Sequence, residues 1–174
     1  MRQRRLILMR HATAAASSGR DLDRPLTRAG QDEARFVGEC LRLEGPIPDR
    51  VLCSAAQRCR DTWRAVEAGL AEGSPPEVEV AFESRLYDAT AAALLDTVQS
   101  ESDAANVLVL AHNPGISLLA LELVRRDPES SALLREGFSP ATIAVFAVEG
   151  PWAELSAETV QLQRFDRPEP DERR

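Results

Sequence analysis

The chain contains no lysine, and all 21 of its basic residues are arginine. Schiff-base chemistry and phosphate-binding loops that end in lysine are therefore excluded. A bound phosphate would have to be held by arginine, histidine, hydroxyl groups or backbone N–H groups. The net charge of −7 and the lack of a dense basic stripe also argue against a nucleic-acid surface.

Cysteines and long apolar runs are also scarce. The three cysteines, Cys40, Cys53 and Cys59, are odd in number and lack metal-ligand or redox spacing. They indicate reduced thiols in a cytoplasmic protein. No apolar run is long enough to cross a membrane, and residues 6–9 are too short a run for a secretory signal.

Strand and helix patterns alternate along the 174 residues, of which 44% are hydrophobic. This composition fits one domain, placed at residues 1–166, with a charged tail at 167–174 that is expected to be disordered. The predicted strands are 6–9, 49–54, 77–82, 106–111, 141–148 and 160–165. The alternation predicts an α/β fold, a three-layer α/β/α sandwich with a mostly parallel central sheet whose last two strands form an antiparallel edge pair.

Two predicted helices carry start signals. Thr27 is expected to cap a helix that ends near Gly45. Pro114 suits the first turn of a helix that runs to Val124, and Asn113 is expected to cap that helix. Helices that follow strands in this way aim their first N–H groups at the edge of the sheet, where an anion can bind.

The only two histidines of the chain each follow a buried strand. His11 comes directly after the first strand, beside Arg10, and His112 follows the strand at 106–111. Open α/β sheets bind ligands at the carboxyl ends of their strands. A lone histidine is more often a structural hydrogen-bonding residue, but two equivalent positions are hard to obtain from packing alone. An imidazole beside a guanidinium is suited to holding and attacking an anion.

Three other kinds of site fit the sequence less well. A metal site needs three or more ligands at recognisable spacings, and no such motif occurs. The spacing of a thiol phosphatase, counted from Cys53, requires arginine at the position that Cys59 occupies. The acidic stretch 21–23 is not preceded by the apolar strand that an aspartyl nucleophile would follow.

A second arginine is expected to reach the same edge of the sheet. Arg58 and Arg60 lie in the first turns of a helix predicted over 55–69, just after the second strand. One of the two is close enough to that strand's end to reach the edge of the sheet where His11 lies. The other is suited to a solvated helix face or an ion pair with Asp61.

Four motifs follow one another along the chain: Leu8-Met9-Arg10-His11-Ala12, Leu26-Thr27-x-x-Gly30, Ser54-x-x-x-Arg58-Cys59-x-x-Thr62 and Ala111-His112-Asn113-Pro114-Gly115. As a set they resemble the histidine phosphatase superfamily, which contains the phosphoglycerate mutases. The resemblance implies a phosphoglycerate mutase-like fold and a histidine-nucleophile phosphatase. His11 would then be the nucleophile that becomes phosphorylated. Arg10 and Arg58 would bind phosphoryl oxygens, and His112 would complete the pocket.

The chain departs from the family pattern at two places. Ala12 stands where the family usually has glycine, and the general-acid glutamate of the mutase branch has only Glu83 and Asp88 as candidates. Between residues 82 and 106 there is room for one helix and turns but no cap domain. An uncapped pocket resembles that of the small SixA-type phosphohistidine phosphatases more than that of the capped mutases.

The expected function is therefore a phosphatase that works through a phosphohistidine intermediate, without a metal or another cofactor. Its expected substrate is a phosphorylated protein of the histidine phosphotransfer type, because an imidazole leaves more easily than a sugar alcohol when no general acid is evident. Small phosphomonoesters are the alternative substrates. An inactive module that docks a phosphorylated partner is the alternative of another class.

Overall fold

A computed structural model describes residues 3–16, 19–71 and 76–168. Of the predicted tail, residues 169–174 lie outside the described ranges. The strands are β1 Arg4–Arg10, β2 Arg50–Ser54, β3 Glu79–Glu83, β4 Asn106–Ala111, β5 Ile143–Val148 and β6 Val160–Asp166. The helices are α1 Arg28–Glu44, α2 Gln57–Leu70, α3 Ala91–Gln99, α4 Gly115–Leu123 and α5 Pro128–Leu134. Short 3-10 turns occupy Asp21–Asp23, Ser84–Leu86 and Trp152–Glu154.

The six strands form one sheet in the order β3-β2-β4-β1-β5-β6. The pairs β3-β2, β2-β4 and β4-β1 are parallel, whereas β5 runs antiparallel to both β1 and β6. The apolar strands β1 and β4 lie side by side in the middle, where both faces of the sheet are covered. The predicted mostly parallel sheet with an antiparallel edge pair is confirmed.

Helices cover both faces of this sheet. The side chains of α1 and α2 share one core cluster with β1, and those of α3 and α4 share the other. The α1–α2 contact is close because glycines face backbone there: a Cβ at Gly38 would lie 2.1 Å from the Val66 carbonyl oxygen, and one at Gly69 would lie 2.2 Å from that of Arg35. The three-layer sandwich predicted from the sequence is confirmed.

One helix start agrees with the sequence and one differs. The Thr27 hydroxyl accepts a hydrogen bond from Gly30 N at 3.0 Å, as predicted for the cap of α1. The predicted Asn113 cap is wrong: α4 begins at Gly115, and the Asn113 amide donates to the Phe138 carbonyl at 3.0 Å. The Asn113 side chain binds a residue 25 positions further along the chain, and a local sequence pattern does not predict such a contact.

The mouth of the sheet is not covered by a cap domain. Residues 84–105, all of them described, hold only the 3-10 turn Ser84–Leu86 and α3 between β3 and β4. The predicted absence of a cap is confirmed. Within the described ranges, none of the helices has the length and apolarity that crossing a bilayer requires.

Candidate active site

The two histidines meet because β1 and β4 are parallel neighbours. Arg10 pairs with Ala111 in the register, so the residue that follows each strand emerges at the same edge of the sheet. The ring centroids of His11 and His112 are 5.3 Å apart, and the rings are tilted by 58°. The sequence prediction that both histidines lie at one edge of the sheet agrees with this geometry.

His11 is held as one tautomer. Its Nδ1 lies 2.8 Å from the Ala12 carbonyl oxygen, and because a carbonyl only accepts, Nδ1 carries the hydrogen. The lone pair is then on Nε2. Burial lowers the pKa of His11 to about 4; the hydrogen bond to Ala12 opposes this shift, and the charges of Arg58 and Arg10 add to it. His11 is therefore a neutral imidazole near pH 7, and none of the described residues donates a hydrogen bond to its Nε2.

His112 is buried and its ring nitrogens have opposite roles. Its Nδ1 accepts from Arg58, with Nε at 3.3 Å and Nη2 at 3.1 Å. A guanidinium only donates, so the hydrogen of His112 sits on Nε2, which is 2.8 Å from the Ser54 hydroxyl. Burial, followed by the charge of Arg58, lowers the pKa of His112 to about 3. Both imidazoles of the pair are neutral.

Arg58 is the arginine that α2 directs toward the histidine pair. Its side chain is 6% exposed, and its Nη1 donates to the Asp21 carbonyl at 2.8 Å. Its Nη2 lies 3.1 Å from the Asp21 carboxylate. Arg60 turns elsewhere: its Nε donates to the Ala55 carbonyl at 2.9 Å, and its Cζ lies 4.6 Å from the centre of the Phe82 ring.

Arg10 holds one buried hydrogen-bond donor that none of the described residues accepts. Its Nη1 donates to the Phe138 carbonyl at 2.8 Å, while its buried Nε has no hydrogen-bond partner among the described residues. Burial, with the charge of Arg58, lowers the pKa of Arg10. A buried donor without an acceptor is costly, and an anion bound beside the histidines would supply that acceptor.

Two further motif residues position the loop that carries His11. The Thr62 hydroxyl accepts from Ala12 N at 3.1 Å and donates to the Arg58 carbonyl at 2.7 Å, so it links the loop that carries His11 to α2. Gly30 lets α1 approach the same loop, because a Cβ there would lie 2.1 Å from the Thr13 carbonyl oxygen. These contacts give physical reasons for motif positions that the resemblance alone did not explain.

Asp21 and Tyr87 belong to the site although the sequence did not single them out for it. The Tyr87 hydroxyl donates to the Asp21 carboxylate at 2.8 Å, and the Tyr87 ring stands edge-on to His112 with centroids 5.5 Å apart. The hydrogen bonds from Tyr87 and then Arg24 lower the pKa of Asp21 to about 2. Both residues lie in irregular segments, where neither periodicity nor a motif gives a signal.

The two acid candidates from the sequence do not join this group. The Glu83 carboxylate lies 3.2 Å from Arg85 Nε. Among the described residues, neither Glu83 nor Asp88 makes a hydrogen bond or ion pair with His11 or His112. A general-acid role for either residue therefore stays a prediction.

The cysteines and acidic residues do not form an alternative site in the described part of the chain. No group of three or more histidine, cysteine, aspartate or glutamate residues there could hold a metal ion. Burial raises the pKa of the Cys53 thiol, and raises that of Cys59 to about 12, so neither is a thiolate near pH 7.

Comparisons with known proteins agree on one family. A family model described as "Histidine phosphatase superfamily (branch 1)" matches residues 6–89. The solved structure of a candidate phosphohistidine phosphatase SixA from Nakamurella multipartitia is 36% identical, with a TM-score of 0.83, and the match covers 95% of this chain and 96% of that one.

Two relatives in sequence extend the comparison. An uncharacterized protein of Mycobacterium leprae is 33% identical over 168 residues, which is 92% of this chain and 99% of that protein. The phosphohistidine phosphatase SixA of Escherichia coli is 32% identical over 118 residues, which is 68% of this chain and 73% of that protein. The similarity thus extends over most of each chain.

Proposed function

The chain belongs to the histidine phosphatase superfamily, and from that premise we propose that it hydrolyses phosphohistidine on a phosphorylated protein, with His11 as the nucleophile. The observation that carries the proposal is the neutral histidine pair beside two arginines at the open edge of the sheet. Phosphoryl transfer depends mainly on positioning and on donors aimed at the equatorial oxygens, which this arrangement can supply.

In the first step, the lone pair of His11 Nε2 attacks the phosphorus atom in line with the leaving nitrogen. The new P–N bond forms on His11 while the P–N bond of the substrate breaks, and its electron pair returns to the substrate imidazole. Arg10 and Arg58 bind the phosphoryl oxygens as charge spreads over them. One such donor contributes about 3–4 kcal/mol to lowering the barrier.

In the second step, water attacks the phosphorus atom of phosphorylated His11. The bond to Nε2 breaks, inorganic phosphate leaves and His11 returns to its neutral form. The hydrogen bond from Nδ1 to the Ala12 carbonyl holds the ring in the same orientation through both steps. The uncapped mouth admits the water without any opening movement.

The choice of phosphohistidine is supported by the lack, among the described residues, of a protonated carboxyl group bound to the histidines or to Arg58. An alcohol needs a proton as it leaves, which a general acid usually supplies for a gain of about 10²–10⁴-fold. Among the described residues, the only carboxylate in contact with Arg58 is that of Asp21, whose pKa of about 2 keeps it ionised. An imidazole leaving group removes this requirement. The open mouth also suits a phosphoryl group presented by a protein surface.

A substrate panel tests the proposal. The wild-type protein is expected to release phosphate from a phosphohistidine-bearing phosphotransfer domain much faster than from a phosphoserine peptide, a sugar phosphate or a nucleotide. His11→Ala is expected to abolish turnover and the acid-labile phosphoenzyme, with its circular dichroism spectrum unchanged. Hydrolysis of an aryl phosphate by His11→Ala would refute the nucleophile assignment. A preference for sugar phosphates would make small phosphomonoesters the substrates instead.

A further inference from the structure

We infer that Asp21 binds the leaving group: its carboxylate accepts a hydrogen bond from the second ring nitrogen of the substrate phosphohistidine. This inference rests on the proposed function. It assigns a role in substrate recognition to a residue outside the four motifs of the sequence. It also accounts for turnover of a phosphoramidate without a general acid.

The position of Asp21 is the first argument. The Arg58 side chain is 6% exposed and the Asp21 side chain is 47% exposed, so the carboxylate lies on the outer side of the guanidinium. His112 occupies the inner side of Arg58. An in-line attack by His11 from within the pocket directs the leaving group outward, toward the mouth where Asp21 lies.

The second argument is that Asp21 is held in place. Its carboxylate accepts hydrogen bonds from the Tyr87 hydroxyl at 2.8 Å and from Arg24 Nη1 at 3.0 Å. Its carbonyl accepts from Arg58 Nη1 at 2.8 Å. A group anchored through both its side chain and its backbone needs little reorganisation when a substrate arrives, which is the condition for efficient electrostatic stabilisation.

The third argument is chemical. When the phosphohistidine ring is protonated, one nitrogen carries the phosphoryl group, the other carries a hydrogen, and the ring is cationic. An ionised carboxylate stabilises that form by accepting the N–H hydrogen bond. Breakage of the P–N bond then returns the electron pair to the ring and leaves a neutral imidazole. No proton has to be added during the step.

The leaving imidazole ring and the attacking imidazole ring then each donate one N–H hydrogen bond to the protein. The N–H of the substrate ring points to the Asp21 carboxylate, and the N–H of His11 points to the Ala12 carbonyl. The positive charge passes from the substrate ring to the phosphorylated His11 ring as the phosphoryl group moves. A phosphorylated alcohol has no such N–H, and ionised Asp21 has no proton to give it. Asp21 thus favours phosphohistidine over phosphomonoesters.

Two substrates with different leaving groups test this inference. Phosphoimidazole has the ring N–H that Asp21 is expected to bind, whereas 4-nitrophenyl phosphate leaves as a stable anion and has none. Asp21→Asn, which keeps the shape of the side chain, is expected to lower kcat/KM for phosphoimidazole by about 10- to 10²-fold, which is what a hydrogen bond to a charged group contributes. Its kcat/KM for 4-nitrophenyl phosphate is expected to fall by a clearly smaller factor, because the variant loses the ion pair with Arg58 but keeps the hydrogen bond from Arg58 Nη1 to the carbonyl of residue 21.

Two further variants sharpen the comparison. Asp23→Asn is the matched control, because Asp23 lies in the same 3-10 turn, is 64% exposed and pairs with exposed Arg20 at 3.7 Å; both activities are expected to stay unchanged. Tyr87→Phe removes the hydroxyl that positions Asp21. Its loss is expected to be smaller than that of Asp21→Asn and larger for phosphoimidazole than for 4-nitrophenyl phosphate.

Each other outcome overturns the inference. An equal fall on both substrates would mean that Asp21 only orients Arg58, and a rise on both would mean that its carboxylate blocks the phosphoryl site. No change on either would mean that Asp21 has no role. Activity of Asp21→Asn on 4-nitrophenyl phosphate shows that the variant is folded. Failure of the proposed function is separate: the wild-type protein itself would then not hydrolyse phosphoimidazole.

Discussion

Arg58→Ala is expected to remove most of the phosphatase activity. The guanidinium is 6% exposed and reaches His112 Nδ1 through Nε and Nη2, at 3.3 and 3.1 Å. It is therefore already desolvated beside the two imidazoles, where a charged donor is strong. Loss of one such donor to the transition state costs about 3–4 kcal/mol, or a fall in kcat of about 10²–10³-fold.

The same variant changes the free protein in a second measurable way. The charge of Arg58 is, after burial, the next cause of the low pKa of His112. Its removal is expected to raise the pKa of His112 above about 3, but not to the ordinary value, because the burial remains. Unfolding in urea is expected at lower concentration, since a buried acceptor left without its donor costs about 1–3 kcal/mol.

Steady-state kinetics with 4-nitrophenyl phosphate provide the assay, and Arg60→Ala is the matched control. Arg60 lies on the same helix, but its guanidinium binds the Ala55 carbonyl and the Phe82 ring outside the histidine pair. The control is expected to keep kcat near that of the wild type. If Arg60→Ala lowers kcat and Arg58→Ala does not, the guanidinium assignment is wrong.

Two further predictions concern the imidazoles and the helix contact. Nuclear magnetic resonance titration is expected to show pKa values of about 4 for His11 and about 3 for His112; midpoints near the ordinary 6.5 would contradict the assigned burial. As the pH falls, the unfolded chain takes up protons on its histidines near pH 6.5, whereas folded His11 does so only near pH 4. The free energy of unfolding is therefore expected to be constant in this respect above pH 6.5 and to fall as the pH falls from 6.5 toward 4, which urea titrations at several pH values can check. Gly38→Ala is expected to lower the free energy of unfolding by about 1–3 kcal/mol, since its Cβ would lie 2.1 Å from the Val66 carbonyl oxygen. Gly19→Ala, whose Cβ meets no atom of the described residues within 4 Å, is the control, and equal effects at both glycines would contradict the packing argument.

The sheet could be predicted from the sequence because its strands are short apolar runs with clear ends. The predicted bounds of β4 agree with the structure at both ends. The strand ends also placed His11 and His112 at one edge of the sheet. Their separation of 5.3 Å depends in addition on β1 and β4 being neighbours, and the strand order is a tertiary property that no local pattern contains.

The choice between Arg58 and Arg60 also needed the structure. Helix α2 begins at Gln57, later than the predicted start at 55, and its phase directs Arg58 inward. The role of Asp21 was not predictable for a different reason. Its partners Arg58 and Tyr87 lie far along the chain, and it sits in a turn without regular periodicity.

The Phe138 carbonyl accepts hydrogen bonds from both Arg10 and Asn113, and so connects the two histidine loops to the segment before β5. Because this oxygen belongs to the main chain, replacing the Phe138 side chain alters its packing against Phe165 but leaves the junction intact. Only a change in the peptide link itself, such as an ester in place of the amide between residues 138 and 139, would weaken the acceptor. The alignment of the two loops is thus shielded from most single amino-acid replacements at this position.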